Sequence, residues 1–347
     1  MSDNPLANLV HDIARQRGSL TVGEYMSLCL GHPQWGYYMS HEPFGSAGDF
    51  TTAPEISQLF GEMIGVWVMM TWEKMGKPDK IQIIELGPGR GTLMRDILRT
   101  LHVMPELQEK LQVHLVEFSP RLKQIQSETL KGAMVHWHEH FDDVPNAPSL
   151  IVANEFFDAL PIEQAVYHDG NWFQRVIVEH DGDLMFSLGK PLQGLYVENP
   201  QNGDIYEYAP MATKVMEEIC AFLHQSSGAL LAIDYGDDVP LNKRKGETLQ
   251  ALHGKKPSGV LEHIGHSDLT AHVSFNSLHG IAAEMGCTPF PLLPQGAFLT
   301  QMGIGLRAEK LMEKADPEQA EQIQSALHRL AGETEMGMLF KVLQVTA

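Results

Sequence analysis

Three short stretches set acids and amides beside turn-forming residues, and each could do chemistry at the end of a strand. The first is Ile83-Ile84-Glu85-Leu86-Gly87-Pro88-Gly89-Arg90-Gly91-Thr92, an apolar run that meets glycines at alternate positions. Glycine lets the backbone turn sharply and lets a ligand approach where a Cβ would stand. Glu85, two residues before the first glycine, offers a carboxylate to a cationic group. A dinucleotide fingerprint reads G-x-G-x-x-G, but here the third glycine comes one residue early, at Gly91, and Thr92 follows. A pyrophosphate would also be repelled by Glu85. The spacing points away from a nicotinamide dehydrogenase and towards S-adenosyl-L-methionine, whose ammonium Glu85 can face. The blander reading of the glycines is a tight turn between strand and helix.

The second stretch is Val116-Glu117, at the end of the next apolar run. Ligands of open α/β sheets bind beyond the carboxyl ends of the strands, and an acid there can accept from both ribose hydroxyls. Phe118 beside it, Asn154 at the end of a later strand, and Thr51 and Thr52 ahead of the first long helix complete the expected cofactor contacts. The third stretch is Asn154-Glu155-Phe156-Phe157-Asp158-Ala159-Leu160-Pro161. Methyl transfer is an in-line displacement, so the protein must chiefly align the nucleophile and exclude water. For a nitrogen nucleophile, Asn154, Glu155 and Asp158 are the candidate holding groups, with Phe156 and Phe157 as walls. Asp234 and Asp49 are candidate second carboxylates, and His272 could take a proton. A helix cap is the competing reading for Asp158.

These groups need a sheet with helices on both faces. Ile81 to Leu86, Val113 to Phe118, Met134 to Trp137, Leu150 to Ala153 and Leu230 to Ile233 read as five strands alternating with helices. Leu339 to Val345 reads as a closing strand. Thr52 to Glu55 reads as a capping box opening a helix that runs through Trp67 and ends at Gly76. Gln164 to Tyr167, Trp172 to Val178 and Leu184 to Leu188 are shorter, separated by Asp169-Gly170 and Asp181-Gly182 turns, and read as an antiparallel insertion. Gly236 to His272 lacks periodicity and is expected to be a long loop. The expected fold is α/β: a doubly wound, Rossmann-like sheet of the class I methyltransferase kind, with a helical N-terminal extension and an antiparallel β insertion after the fourth strand. The expected division is 1-80 for the extension with a lid loop, 81-161 and 211-347 for the cofactor-binding core, and 162-210 for the insertion.

Composition narrows the partners. The 347 residues carry a formal charge of -19, which repels phosphate backbones and either suits a cationic partner or serves solubility alone. The three cysteines are far apart and form no CxxC pair, so neither disulfides nor a zinc-thiolate site is expected. His136, His138 and His140 alternate along one strand, but no further ligand pattern accompanies them, and no metal is expected. The N-terminus shows no basic segment leading into an apolar core, and the apolar stretch from Met63 to Trp72 is far short of the ~20 residues a membrane span needs. A reducing cytoplasm is the expected location, with no membrane insertion and no nucleic acid. Exposed apolar surface on the inserted strands would favour a homodimer.

The chain resembles the MidA family over nearly its whole length. The resemblance rests on Gly48-Asp49-Phe50-Thr51-Thr52-Ala53-Pro54-Glu55-Ile56-Ser57, on Glu85 to Met94, and on Asn154 to Pro161. It continues through Asp234-Tyr235-Gly236, Asp268-Leu269-Thr270-Ala271-His272-Val273 and Glu335-Met336-Gly337. Ser274 stands where the family usually carries Asp. The resemblance implies a class I methyltransferase binding S-adenosyl-L-methionine through Gly87, Gly89, Gly91 and Glu117. From the family's mitochondrial members it further implies a protein substrate presenting arginine, a subunit of respiratory complex I, dimethylated symmetrically. A guanidinium is always charged and makes forked bonds to carboxylates, so Glu155 with Asp49 or Asp234 could clamp it. The alternatives are a small-molecule methyltransferase, or a catalytically silent scaffold that still binds the cofactor.

Overall fold

A computed structural model describes residues 4–40 and 52–347. The larger sheet includes β1 (Ile81–Leu86), β2 (Leu111–Val116), β3 (Val135–His138), β4 (Ser149–Asn154), β5 (Gly228–Asp237), β6 (Thr288–Pro289), β7 (Leu293–Pro294) and β8 (Phe340–Thr346). Their order is β6-β8-β5-β4-β1-β2-β3, with β7 also paired to β8. The β3-β2-β1-β4-β5 block is parallel, and β8 runs antiparallel to β5. Every residue of β1 is buried, as befits a central strand covered on both faces. On one face Ile83, Leu115, Val152 and Leu231 join helices Gln58–Lys74 and Thr92–Leu101 in a single core.

The expected five strands and closing strand are present, in a doubly wound α/β arrangement. Their alternation with helices dictates it, because parallel neighbours require crossover connections. The N-terminal helix differs from expectation. Thr52 caps Ala53–Ile56 through its carbonyl rather than its hydroxyl, and no capping box forms. Ser57 is extended, at φ -162°, and its hydroxyl accepts from the Leu59 N–H at 3.2 Å to start a separate helix, Gln58–Lys74. The helical region expected from Gly305 to Leu330 is likewise two helices, Ile304–Met312 and Pro317–Ala331, the second opened by an Asp316/Gln319 capping box.

By contacts the chain divides into two units. One holds the described N-terminal residues with Asp158–Val215 and Asp238–Leu278; the other holds Thr51–Phe157, Met216–Asp237 and His279–Ala347. This differs from the expected boundary at 80. Helix Gln58–Lys74 belongs with the large sheet, whereas helices Pro5–Arg17 and Val22–Gly31 pack within the other unit. In that unit the inserted strands Glu163–His168, Asn171–His180 and Asp183–Leu192 are joined by Ile205–Tyr208 and by Leu20–Thr21 from the N-terminal segment. Both expected turns have positive φ at the aspartate and the glycine, the geometry of a two-residue hairpin. The stretch expected as a long loop carries a small antiparallel sheet of Gln250–His253, Lys256–Ser258 and Asp268–Thr270, turned at Gly254-Lys255. Strands of three or four residues are too short to show alternation.

Candidate functional site

Parallel register brings four strand ends to one edge of the large sheet. Leu86 pairs with Val116 and with Ala153, and Asn154 pairs with Ile233. The ladder continues one step further: the Gly87 N–H donates to Val116 O at 3.1 Å and the Glu155 N–H to Ile233 O at 2.9 Å. Neighbouring strands lie about 4.8 Å apart, so the turns after β2, β1, β4 and β5 line roughly 15 Å of that edge.

Glu85 lies inside β1, 3% exposed, and its Oε2 has no hydrogen-bond partner. Burial pushes its carboxyl up to about 8. A cation arriving beside it would supply what the site lacks. The turn that follows has positive φ at Gly87, Gly89 and Gly91, and a Cβ on Gly87 would stand 3.0 Å from the Phe156 ring. Only glycine lets the chain follow this path and leaves its backbone open to a ligand. Thr92 starts the helix after the turn, and its hydroxyl donates to Glu55 Oε1 at 2.5 Å. Glu117, 4% exposed, accepts from the Ser119 N–H at 2.8 Å and from Gln126 Nε2 at 3.1 Å. Burial raises its pKa while these bonds oppose the rise. Phe118 beside it is 47% exposed, a ring face open for stacking. An unmet buried acid, a turn with glycine at three alternate positions and a second acid beside an exposed ring fit the ammonium, the amino-acid portion and the nucleoside of S-adenosylmethionine.

At the end of β4, the Asn154 Oδ1 is buried without a hydrogen bond, and its Nδ2 donates to Glu155 Oε1 at 3.3 Å. Glu155 has φ 49°, a left-handed conformation uncommon outside glycine, asparagine and aspartate. That twist aims its side chain so that Oε1 accepts from the Ala53 N–H at 2.9 Å. The Phe156 and Phe157 rings meet edge to face at 5.4 Å. Asp234 is bonded to the turn after β4. Fully buried, it accepts from the N–H groups of Phe156 and Phe157 at 3.1 and 3.0 Å and from that of Tyr235 at 2.9 Å. Its carboxylate holds the turn after β4 in place.

The remaining expected residues fall elsewhere. Asp49 and Thr51 lie outside the described residues, as does most of the expected lid loop. Thr52 stands next to Ala53, with no hydroxyl bond to the helix it caps. Asp158 and His272 belong to the other unit. Asp158 is buried and its carbonyl accepts from the Ala271 N–H at 3.0 Å. The His272 backbone is held on both sides, its N–H by Thr248 Oγ1 at 3.0 Å and its carbonyl by Arg244 at 2.8 Å. His136 and His138 stack with His114 of β2, whose pKa is lowered to about 4 by burial and by its histidine neighbours. Among the described residues no group of three side chains is placed to hold a metal.

Sequence reading overlooked Glu55 and Gln126. Gln126 had a signal: it sits one turn after Leu122 and one before Leu130, a polar residue on the buried face of helix Pro120–Thr129. Glu55 had none, because its partner Thr92 is distant in sequence.

A profile of the family described as "Putative S-adenosyl-L-methionine-dependent methyltransferase" matches residues 63–292. The mitochondrial protein arginine methyltransferase NDUFAF7 of Xenopus tropicalis is 34% identical over 376 residues, covering 99% of this chain and 86% of that protein. Its Homo sapiens counterpart is 32% identical over 374 residues, covering 98% and 83%. A solved structure from Burkholderia thailandensis with S-adenosyl-homocysteine bound has a TM-score of 0.85 at 26% identity, covering 99% of this chain and 92% of that one. The relatives are named as mitochondrial, which overturns the expectation of a cytoplasmic protein. Three separated cysteines without a pairing pattern do not name a compartment.

Proposed function

This chain belongs to the MidA-like family of S-adenosylmethionine-dependent methyltransferases, and we propose that it transfers the methyl group to the guanidinium of an arginine presented by a protein. The reading is carried by relatives named protein arginine methyltransferase, matched along almost all of this chain. The acid at the end of β4 is chemically suited to it.

When bound, the cofactor supplies an electrophilic methyl on a sulfonium. In this reading Glu85 meets its ammonium, Gly87, Gly89 and Gly91 let the backbone approach, Thr92 steadies the helix start, Glu117 takes the ribose hydroxyls and Phe118 stacks on the adenine. Thr51 and Thr52 are proposed as further cofactor contacts. Glu155, steadied by Asn154, receives two N–H groups of the guanidinium in a fork. Holding those two nitrogens draws positive charge towards them and leaves the third nitrogen richer in electrons for in-line attack. Phe156 and Phe157 exclude water. Asp234 acts through the turn it holds and is a positioning residue. Asp49 is the proposed second carboxylate of the clamp, Asp158 a proposed holding group, and His272 the proposed acceptor of the proton that the methylated nitrogen gives up. The finer reading makes that acceptor a subunit of respiratory complex I, dimethylated symmetrically, and the enzyme a homodimer.

The test is methyl transfer from labelled cofactor to arginine-bearing proteins, with the modified residue located by mass spectrometry. Glu155→Gln keeps an oxygen able to accept from the Ala53 N–H, so fold and cofactor affinity are expected to persist. Transfer is expected to fall by roughly a hundredfold or more, as when one group that stabilises developing charge is removed. Full activity in that variant would remove the clamp, and label on lysine or on small molecules alone would remove arginine as the acceptor.

A further inference from the structure

Helix Pro120–Thr129 carries a fully buried glutamine between the two halves of the cofactor site. A buried amide must satisfy both its NH2 and its oxygen. Gln126 Nε2 donates to the Gly89 carbonyl at 2.9 Å and to Glu117 Oε2 at 3.1 Å, and its Oε1 accepts from Trp137 Nε1 at 2.9 Å. The other oxygen of Glu117 is held by the Ser119 N–H at 2.8 Å. A Cβ on Gly91 would stand 3.5 Å from the Gln126 Cα, so the helix also lies against the turn itself. One side chain thus bonds to the glycine turn, to the acid after β2 and to the strand beyond.

We propose that Gln126 is a positioning residue for the cofactor, fixing the Glu117 carboxylate in the orientation that receives the ribose hydroxyls and tying it to the Gly87–Gly91 turn. This rests on the reading of Glu117 as the ribose acid. The last torsion of a glutamate side chain is soft, so a carboxylate held at one oxygen alone swings. A second bond, charge-assisted, stops that swing before a ligand arrives. Trp137 determines which way the amide faces. The indole N–H donates and never accepts, so the Gln126 oxygen must point at it and the NH2 must point at Glu117 and Gly89. Without the indole donor the amide can flip and turn its oxygen against the carboxylate.

Positioning differs from packing in its dependence on the ribose hydroxyls. The experiment is calorimetric binding of S-adenosylhomocysteine and of its 2′-deoxy analogue to the full chain and to Gln126→Leu, Trp137→Phe and Glu117→Ala, each checked by its melting temperature. The unaltered protein should prefer the hydroxylated ligand about tenfold, the scale of one hydrogen bond to a charged group. Gln126→Leu should bring that preference close to one while binding of the deoxy ligand changes little. Trp137→Phe keeps an aromatic ring and should lower the preference part of the way. Equal weakening of both ligands by Gln126→Leu, or no change in either, assigns the residue to packing and overturns the proposal. If Gln126→Leu does not fold, Trp137→Phe decides, and an unaltered preference there overturns it. If Glu117→Ala keeps the preference, the reading of Glu117 fails and takes the proposal with it. If Glu117→Ala loses the preference while Gln126→Leu and Trp137→Phe both keep it, only the role of Gln126 fails.

Discussion

Glu85 is a carboxyl group without a counterpart. Burial raises it from an ordinary 4.5 to about 8, so the folded chain keeps a proton that the unfolded chain has released. Its contribution to stability is therefore complete below about pH 4.5 and is lost as pH rises towards 8. Replacing it by Gln should flatten that fall in a series of melting curves across pH. The same shift makes cofactor binding a proton event. An ammonium arriving beside the acid favours its ionised form, so binding near neutral pH should release a proton. Calorimetry in buffers of different ionisation heat would count it, and Glu85→Gln should abolish the release while weakening binding. An unaltered protein that releases none would separate Glu85 from the ammonium. At this scale the acids beside the glycines were legible, because type and spacing alone raise the question of a cation. The task of Asp234 was not. Its partners, the N–H groups of Phe156 and Phe157, lie far away in sequence, and only the pairing of β4 with β5 brings them to it.

Helix Gln58–Lys74 approaches helix Thr92–Leu101 through two glycines one turn apart. A Cβ on Gly61 would stand 2.5 Å from the Asp96 Cβ, and one on Gly65 would stand 2.7 Å from the Thr100 Cβ. Neither neighbour is the loose end of a long side chain, so the helices would have to separate. Gly61→Ala should lower stability by about 1–3 kcal/mol through overpacking, less up to ~1 kcal/mol regained in helix propensity. A denaturant titration measures the net change, and a rise in midpoint would show that the helices move apart at no cost. The apolar periodicity of this helix was plain in the sequence. Its interruption at Ser57 was not, because Thr52 and Glu55 form a convincing capping pattern on paper while Glu55 bonds to Thr92 instead. The small sheet within 250–270 escaped notice for a related reason: its strands owe their existence to pairing, not to any pattern of their own.

The chain as a whole carries a charge of -19, and its proposed acceptor is a cation. Attraction of that kind acts over a screening length of about 8 Å at physiological salt and about 30 Å at about one-fifteenth of that strength. Raising the salt should therefore raise KM for an arginine-bearing protein several-fold and leave kcat nearly unchanged, whereas a salt-independent KM would remove long-range steering. Net charge bears on the choice of partner and says nothing about location; the expected location, read from other features, was corrected by the relatives. A parallel sheet covered on both faces was foreseeable from the alternation of strands and helices; its strand order was not, nor was the gathering of N-terminal helices around the inserted strands, since Leu20–Thr21 finds its partners Val176 and Ile177 only through the fold. That insertion has a consequence for descent. β4 and β5 are neighbours although all of Asp158–Val215 lies between them in the chain. Closing a loop costs only about 0.6 kcal/mol more for each doubling of its length. A lineage carrying this sheet can lengthen or trim the hairpins between Glu163 and Tyr208 and still inherit the same strand ends, with the same acids standing beside the same glycines.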